Sequence, residues 1–278
     1  MAHFLQCGRF GLKLDNTPLV MGVLNVTPDS FSDGGRFRSL EFALSRAEEM
    51  IAEGVGIIDI GGESTRPGAP SVPLDEELRR VMPVIYALRD LGKPLSVDTT
   101  KPDVMREALI AGADMINDVN GFRAPGALDA VRDSDCALCV MHMQRDPQTM
   151  QQQPDYQDVV GEVGDFLLER VESLAAAGIA RERICVDPGF GFGKTVEHNY
   201  ALLRQLGDIE ARTGRPILAG LSRKSMIAAV TGRPIEQRLA GSLAGALAAV
   251  AHGAKIVRVH DVAETVDAFK VWRAATVA

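Results

Sequence analysis

The sequence contains few cysteines, and their spacing argues against a zinc or redox site. Four cysteines are present, and two of them, Cys136 and Cys139, form a C-x-x-C pair, a spacing found in zinc and redox motifs. No second pair follows, and residues three apart in a strand point to opposite faces of the sheet. We therefore interpret both cysteines as apolar strand residues in a reducing compartment.

Positive charge and long apolar runs are also scarce. The 278 residues include 30 Lys and Arg against 37 Asp and Glu, a formal net charge of −7, which argues against nucleic acid or an anionic membrane as the main partner. The most apolar helical stretch, Leu239–Ala251, is shorter than the roughly 20 residues that span a bilayer. No basic segment followed by an apolar one begins the sequence, so no signal peptide is predicted, and we expect a cytoplasmic protein.

The stretch Asp187–Thr195, DPGFGFGKT, nearly matches a phosphate-binding loop. Its last three residues, G-K-T, form the closing half of the pattern G-x-x-x-x-G-K-[ST]. The opening glycine of that pattern would be residue 188, which is Pro188. Proline lacks the backbone N–H that such loops direct at phosphate. The alternative is that Asp187, at the end of an apolar run, is the important residue.

Short apolar runs alternate with segments of helical periodicity along the chain. Eight such units with near-continuous apolar strands predict a parallel sheet buried on both faces, and a closed (β/α)8 barrel, the TIM barrel, satisfies this best. We predict one domain over residues 1–278, with Phe4–Leu14 as a β-hairpin that covers the barrel floor. The predicted strands are Val20–Val26, Val55–Ile60, Pro94–Val97, Ala113–Ile116, Ala137–Met141, Arg183–Val186, Pro216–Gly220 and Lys255–Val259.

Every predicted strand ends in a polar or ionisable residue. In barrels of this type the chemistry is carried at the C-terminal ends of the strands. One such residue could be a helix cap or a hydrogen-bonded buried group, but eight strand ends together indicate a site, which favours a functional Asp187. The residues are Asn25, Asp59, Glu63, Asp98, Asn117, Asp118, His142, Asp187, Ser222, Arg223, Lys224, Arg258 and His260.

Two parts of this set predict two kinds of ligand group. Asp98, Asn117 and Asp187 offer acceptors, which suit a planar heterocycle rich in N–H donors. Arg258 and His260 are two residues apart and so share a strand face. Basic groups at the seventh and eighth strand ends mark the usual anion site of such barrels. A donor-rich heterocycle that carries a phosphate-type group fits both parts.

Three further segments carry expectations about this site. Two loops rich in Gly, Ser, Asp and Pro, Asn25–Phe37 and Gly61–Ala69, are either solvated connections or lids over a bound substrate. Ser222 is predicted to begin the helix that continues with Arg223 and Lys224.

At these residues the sequence resembles the dihydropteroate synthases, the folate-pathway enzymes inhibited by sulfonamides. The resemblance implies condensation of (7,8-dihydropterin-6-yl)methyl diphosphate with 4-aminobenzoate, by loss of diphosphate to a pterin-methylene cation and attack by the arylamine. It also implies Mg²⁺ as cofactor and a homodimer. Matching stretches occur in order along nearly the whole chain: MGVLNVTPDSFSDGG, IDIGGESTRPGA, SVDTTKP, INDVNG, VMHMQ, DPGFGFGK, LSRKSMI and KIVRVHDVAET.

The resemblance also implies roles for individual residues. It implies a catalytic role for four of them: Asp98, Lys224, Arg258 and His260. The implied pterin-binding residues are Asp98, Asn117, Met141, Asp187 and Lys224. The implied diphosphate-binding residues are Asn25, Thr65, Arg66, Arg258 and His260, with Asn25 also a magnesium ligand. The implied 4-aminobenzoate-binding residues are Phe31, Pro67, Phe192 and Ser222.

One position departs from the family, and two other functions are open. After MHMQ the family usually has glycine, whereas this chain has Arg145. A pterin-binding methyltransferase would use a similar barrel without needing the Arg258/His260 anion site or both lids. A non-catalytic pterin-binding module would leave Lys224 and Asn25 without a purpose. Leu239–Ala251 could pack either against a second subunit or within the chain.

Overall fold

A two-stranded antiparallel hairpin opens the described part of the chain. The structure is a computed structural model that describes residues 4–14, 17–26, 36–64, 68–145, 150 and 154–276. Strand β1 (Phe4–Cys7) pairs with β2 (Phe10–Lys13), and Gly8 adopts a φ of 54° between them. The hairpin lies at the N-terminal ends of the later strands, because the Gly8 N–H donates to the Asp135 carbonyl at 3.0 Å. The predicted hairpin beneath the barrel is therefore confirmed.

Eight parallel strands close into a barrel, which confirms the predicted (β/α)8 architecture. Each strand pairs with its neighbours in sequence, and the last strand pairs with the first. The strands are β3 (Leu19–Asn25), β4 (Ile57–Gly61), β5 (Leu95–Asp98), β6 (Met115–Asp118), β7 (Ala137–Met141), β8 (Ile184–Asp187), β9 (Ile217–Ala219) and β10 (Ala254–Val259).

Helices surround the barrel and bury one face each against the strands. Within the described residues, no helix is both long and apolar enough to cross a membrane. The helices are α1 (Arg36–Glu53), α2 (Leu74–Leu88), α3 (Pro102–Ala111), α4 (Ala127–Val131), α5 (Val159–Ala176), α6 (Val196–Arg204), α7 (Leu206–Thr213), α8 (Ser225–Thr231), α9 (Leu239–Ala251) and α10 (Val262–Thr276).

The core has two layers, because side chains alternate across each strand. Outward-facing residues pack against the helices in one large apolar cluster. Inward-facing residues fill the lower half of the barrel together with the hairpin, so that the barrel is closed at its floor. The members of this inner cluster are Leu5, Cys7, Leu14, Met21, Ile57, Met115, Ala137, Cys139, Cys185, Leu218 and Ile256. Chemistry is thereby confined to the opposite end.

The strands extend further toward that opposite end than the apolar pattern predicts. β5, β6 and β8 include the polar residues Asp98, Asn117, Asp118 and Asp187, whereas the apolar runs stop just before them. The backbone ladder continues because main-chain hydrogen bonds do not depend on side-chain polarity. These side chains are therefore fixed by strand geometry and not carried on loops.

Candidate active site

The C-terminal ends of the strands bring most of the predicted site residues to one mouth of the barrel. Four predicted residues, Phe31, Thr65, Arg66 and Pro67, lie outside the described residues, as do residues 27–35 and 65–67 of the two loops predicted as lids. Those that the structure describes at this mouth are Asn25 on β3, Asp98 on β5, Asn117 on β6, Met141 on β7, Asp187 on β8, Phe192 after β8, Ser222 and Lys224 after β9, Arg258 on β10, and His260 just after it.

Arg258 joins two carboxylates across the barrel. Its Nε donates to Asp59 Oδ2 at 2.7 Å and its Nη2 to Asp98 Oδ2 at 3.0 Å. Burial raises the pKa of Asp98 to about 7; Arg258 opposes this rise and Asp59 adds to it. Burial acts to lower the pKa of Arg258, but Asp59 and Asp98 outweigh it and hold that pKa above its ordinary value. Arg258 therefore stays cationic, while Asp98 titrates near neutral pH.

Several buried oxygens in the same region have no hydrogen-bond partner among the described residues. They include Asp98 Oδ1 and Asn117 Oδ1, which point into the barrel from paired positions on adjacent strands. Asp59 Oδ1 and Ser96 Oγ form a second such pair one layer below. Buried acceptors are almost always satisfied, and leaving one unpaired costs about 1–3 kcal/mol. The upper pair is therefore suited to a ligand that brings N–H donors.

Asp187 and Lys224 form the other side of the mouth. Asp187 Oδ1 accepts from the Gly189 N–H at 2.7 Å, and burial raises the pKa of this carboxyl, an effect that Lys224 opposes. Burial lowers the pKa of Lys224 to about 8, whereas Asp187 acts to raise it. The Lys224 ammonium donates to the Phe190 carbonyl and lies 4.7 Å from the centroid of the Phe192 ring. A cation that lies over an aromatic ring is thus close enough to the Asp187 carboxylate to affect its pKa.

Ser222 pairs with His260 and does not begin a helix. The His260 N–H donates to Ser222 Oγ at 3.3 Å, and His260 Nδ1 lies 3.0 Å from the same oxygen. The prediction that Ser222 starts the following helix is wrong, because α8 begins at Ser225. The physical reason is that Arg223 has a φ of 60°, a left-handed conformation that cannot continue a right-handed helix.

The G-K-T residues that resemble a phosphate loop have structural partners. Lys194 is buried, and its Nζ lies 2.9 Å from His142 Nδ1, 3.0 Å from the Gly189 carbonyl and 3.1 Å from the Phe192 carbonyl. Burial lowers the pKa of both Lys194 and His142, the latter to about 2. Thr195 caps α6 by accepting from the His198 N–H at 3.2 Å. Lys194 therefore pins residues 188–194 to the end of β7 and is not available to phosphate.

Glycine is required where this pinned loop meets β7. Gly189 has a φ of 72°, and a Cβ there would fall 1.9 Å from the His142 carbonyl oxygen. The loop can approach the strand only without a side chain at this position. Arg145, where the family usually has glycine, has a φ of 64°, which accounts for that usual glycine.

A polar residue at the end of a predicted strand can belong to the site or can serve only the fold, and the sequence pattern does not distinguish the two. Asp118 is buried and accepts from the Asn120 and Phe122 N–H groups at 2.8 and 2.7 Å, so it shapes the β6–α4 turn. His142 packs edge-on against Phe166, with ring centroids 4.9 Å apart.

Asp59 was among the strand-end residues, but no role was predicted for it. Alternation along β4 could have placed it inside the barrel, and a buried aspartate needs a cationic partner. The sequence also drew attention to Arg223, at a strand end, and to Lys194, in the G-K-T stretch, but it did not predict their partners, which come from distant parts of the chain.

Comparison with known proteins places this chain in a defined class. The sequence pattern of the pterin binding enzymes matches residues 21–260, so the chain is a member of that class of barrel enzymes. A dihydropteroate synthase of Haemophilus influenzae is 53% identical over 260 residues, which cover 93% of this chain and 94% of the relative.

Solved structures narrow the class further. A Burkholderia cenocepacia dihydropteroate synthase in complex with 7,8-dihydropteroate is 59% identical, with a TM-score of 0.91 over 99% of this chain and 96% of that one. A Xanthomonas albilineans dihydropteroate synthase with 4-aminobenzoic acid is 51% identical, with a TM-score of 0.93 over 100% of both chains. This chain belongs to the dihydropteroate synthase family.

Proposed function

We propose that this protein condenses (7,8-dihydropterin-6-yl)methyl diphosphate with 4-aminobenzoate to give 7,8-dihydropteroate and diphosphate, a group-transfer step of folate biosynthesis. The observation that carries this proposal is the pair of unpartnered buried acceptors, Asp98 Oδ1 and Asn117 Oδ1, beside the cationic groups of Arg258 and Lys224. A pterin supplies N–H donors for the acceptors, and its diphosphate supplies negative charge for the cations.

The pterin ring binds on the acceptor side of the mouth. Asp187 accepts from the donor edge of the ring as a carboxylate accepts from an arginine, and Asn117 and Asp98 accept from the remaining N–H groups. Lys224, on the same side of the mouth as Asp187, donates to an acceptor of the ring. Met141, in a cluster with Val119, Met143, Met150 and Phe192, packs on the ring face.

The diphosphate binds on the cationic side. Arg258 uses two of its five N–H donors on Asp59 and Asp98, so three remain for phosphate oxygens. His260 lies at the same end of β10 and contributes a second donor. Thr65 and Arg66 complete the set of diphosphate-binding residues that we propose, although both lie outside the described residues.

Asn25 and its surroundings fit a magnesium ion that arrives with the diphosphate. Mg²⁺ prefers oxygen ligands and often takes few from the protein and the rest from substrate phosphates and water. A Cβ on Gly61 would lie 3.4 Å from Asn25 Oδ1, so glycine leaves space beside this oxygen. Among the described residues, no group of three or more His, Cys, Asp or Glu side chains could hold a metal, which agrees with a site completed by substrate. The bound ion would neutralise charge on the leaving diphosphate.

The chemistry requires stabilisation of charge and no protein nucleophile. The bond between the methylene carbon and the diphosphate oxygen breaks, and diphosphate leaves with the electron pair. Arg258 and His260 balance its negative charge, while the Asp98 carboxylate balances the positive charge that spreads from the methylene into the ring. The arylamine lone pair then forms the C–N bond, and the amine loses a proton. Lys224 holds the ring in position during both steps.

The 4-aminobenzoate binds beside the methylene group. We assign Phe192 and Ser222 to this place, together with Phe31 and Pro67, which both lie outside the described residues. The Lys224 ammonium lies over the ring of Phe192. The residue that contacts the pterin therefore also contacts a residue of the 4-aminobenzoate pocket.

We also propose that a single domain covers residues 1–278 and that the protein acts in the cytoplasm, in line with its four unpaired, buried cysteines. We propose a homodimer formed through the α8–α9 surface, defined by Val230, Ile235 and Leu239. These side chains are 65%, 39% and 37% exposed, and clustered exposed apolar groups are typical of subunit contacts.

A direct assay tests the reaction and its two rivals. The purified protein is mixed with both substrates and Mg²⁺, and release of diphosphate and formation of dihydropteroate are measured. Diphosphate release that depends on 4-aminobenzoate supports the synthase. Tight pterin binding without any turnover would indicate a binding module, and methyl transfer from a methylated pterin would indicate a methyltransferase.

A further inference from the structure

The turn between β9 and α8 contains a strained residue that is not glycine. Among the described residues, three non-glycine residues have a positive φ, and one of them is Arg223, with a φ of 60°. The Lys224 N–H donates to the Leu221 carbonyl at 3.1 Å, so residues 221–224 form a β-turn with Arg223 as its third residue. This position with positive φ favours glycine, and an arginine there costs free energy that other contacts must offset.

Three separate contacts hold Arg223 in this conformation. Its N–H donates to Ser242 Oγ at 3.0 Å, and its carbonyl accepts from Arg238 Nη1 at 2.9 Å. Its guanidinium binds both carboxylate oxygens of Asp261, with Nε 3.1 Å from Oδ2. The Ser242 hydroxyl donates its hydrogen to the Arg238 carbonyl at 2.7 Å, so it accepts from Arg223 through a lone pair. We call these three partners the Arg223 clamp.

The clamp connects two segments that both carry site residues. Arg223 lies between Ser222 and Lys224, and Asp261 directly follows His260. Across this connection Ser222 Oγ lies 3.0 Å from His260 Nδ1, while Lys224 turns away to the Phe190 carbonyl. If residue 223 had a right-handed helical conformation, α8 would begin earlier in the sequence. The Ser222 side chain would then no longer point to His260 while that of Lys224 points to the Phe190 carbonyl.

We propose that Arg223 is a positioning residue, whose left-handed backbone and clamp place Ser222 against His260 and Lys224 against the Phe192 ring. This inference rests on the proposed function, because it assigns a role in placing the substrate-binding groups of that site. Arg223 acts through its neighbours and not by touching either substrate.

Three variants separate backbone positioning from a direct role of the guanidinium. Arg223→Gly removes the guanidinium but adopts positive φ at little cost, and it keeps the backbone contacts to Ser242 and Arg238. Arg223→Ala removes the same group and retains the steric penalty of a Cβ. Asp261→Asn leaves the guanidinium in place and weakens its anchor. Arg132→Ala is the matched control, because Arg132 is also paired with an aspartate and its side chain is 44% exposed, against 40% for Arg223.

The expected result is a graded loss of kcat/KM for 4-aminobenzoate. The kcat/KM of Arg223→Ala should be roughly fivefold lower than that of Arg223→Gly, because a Cβ lowers the population of the left-handed turn. Asp261→Asn should also fall below the wild type, and Arg132→Ala should not. The loss should appear mainly in KM for 4-aminobenzoate, with melting temperatures used to compare folding. Equal losses in the Gly and Ala variants, with full activity in Asp261→Asn, would overturn the proposal, as would wild-type activity in all three.

A second measurement keeps this inference separate from the proposed reaction. Hydrogen exchange of the backbone amides of residues 223 and 224 reports the turn without any substrate. Faster exchange in Arg223→Ala than in Arg223→Gly supports the clamp even if the wild type has no synthase activity, in which case the proposed function alone fails. Equal exchange in these two variants would overturn the positioning role.

Discussion

At the residue scale, the site is governed by buried charges whose partners set their protonation. Arg258 stands between Asp59 and Asp98, so each of the three groups depends on the others. Removing Arg258 would leave two buried carboxylates unpaired, which typically costs about 3–5 kcal/mol. Replacement of Arg258 therefore tests folding as much as diphosphate binding. Replacement of Asp59 is the better test of how these charges control the pH dependence of activity.

The pKa values of Asp98 and Lys224 predict a narrow pH optimum. Activity requires the Asp98 carboxylate, whose pKa is raised to about 7, and the Lys224 ammonium, whose pKa is lowered to about 8. We expect kcat/KM for the pterin diphosphate to rise with pH through about 7 and to fall above about 8, because this parameter reports groups of the free enzyme. Its measurement from about pH 5.5 to about 9.5, a range that extends about 1.5 units beyond each pKa, tests both limbs.

The Asp59→Asn variant identifies the group behind the acidic limb. It removes a negative charge that raises the pKa of Asp98, so deprotonation of Asp98 becomes easier and the acidic limb should move to lower pH. Asp133→Asn, at an exposed position, is the control and should leave the profile unchanged. An acidic limb that does not move in Asp59→Asn would show that another group controls it.

Asp187 is expected to be the main anchor of the pterin ring. Asp187→Ala should weaken pterin binding at least about tenfold by titration calorimetry, because each charge-assisted hydrogen bond contributes roughly 1.5–3 kcal/mol. Asp118→Ala is the comparison: this residue is also a buried aspartate at a strand end, but it holds only the turn of Asn120 and Phe122. It should lower the melting temperature and spare pterin affinity. Unchanged affinity in Asp187→Ala would make Asp187 structural as well.

At the scale of structural elements, the loop after β8 connects the two sides of the site. Residues 188–194 supply the Phe190 carbonyl and the Phe192 ring to Lys224, and Lys194 pins the loop to His142. Both a neutral amine and an ammonium satisfy the contacts of Lys194, since the tautomer of His142 determines which group donates. The pin therefore holds in either protonation state.

Lys194→Met should loosen this loop while the barrel stays intact. The variant leaves the buried Gly189 carbonyl and the partly buried Phe192 carbonyl without their donor, and a buried stranded carbonyl costs about 1–3 kcal/mol. We expect a lower melting temperature and a KM for the pterin diphosphate raised about tenfold, with kcat changed less. Lys270→Met, with a side chain 70% exposed on α10, is the control. A raised KM for 4-aminobenzoate alone would contradict a role in holding the pterin side.

At the scale of the whole molecule, the closed barrel removes sheet edges and leaves helix surfaces for assembly. Leu239→Glu places a charge in the α8–α9 surface and should convert the proposed dimer to monomer, measured by sedimentation velocity. Ile110→Glu is the control, because Ile110 on α3 is 76% exposed and lies outside that surface. A monomeric wild type, or dissociation caused by Ile110→Glu alone, would contradict this assembly.

The sequence by itself determined the barrel and the end at which its chemistry lies. Eight apolar runs separated by helical segments can bury their surface best in a closed parallel sheet. The helix Leu239–Ala251 has the same bounds in the structure as in the sequence pattern. Strand ends, in contrast, were predicted one or two residues early at Asp98, Asp118 and Asp187, because apolarity stops where the hydrogen-bond ladder does not.

Only the tertiary structure decided which polar residues meet and which of them serve folding. Asp59 and Arg258 are 199 residues apart and Lys194 and His142 are 52 apart, and local pattern contains no information on such pairs. Asp118 and Asp187 both follow apolar runs, yet Asp118 uses both carboxylate oxygens on turn amides, whereas Asp187 uses one oxygen on the Gly189 N–H and lies at the barrel mouth. The difference arises because closure of the barrel sets the direction of each side chain, and burial then requires a partner for every charge.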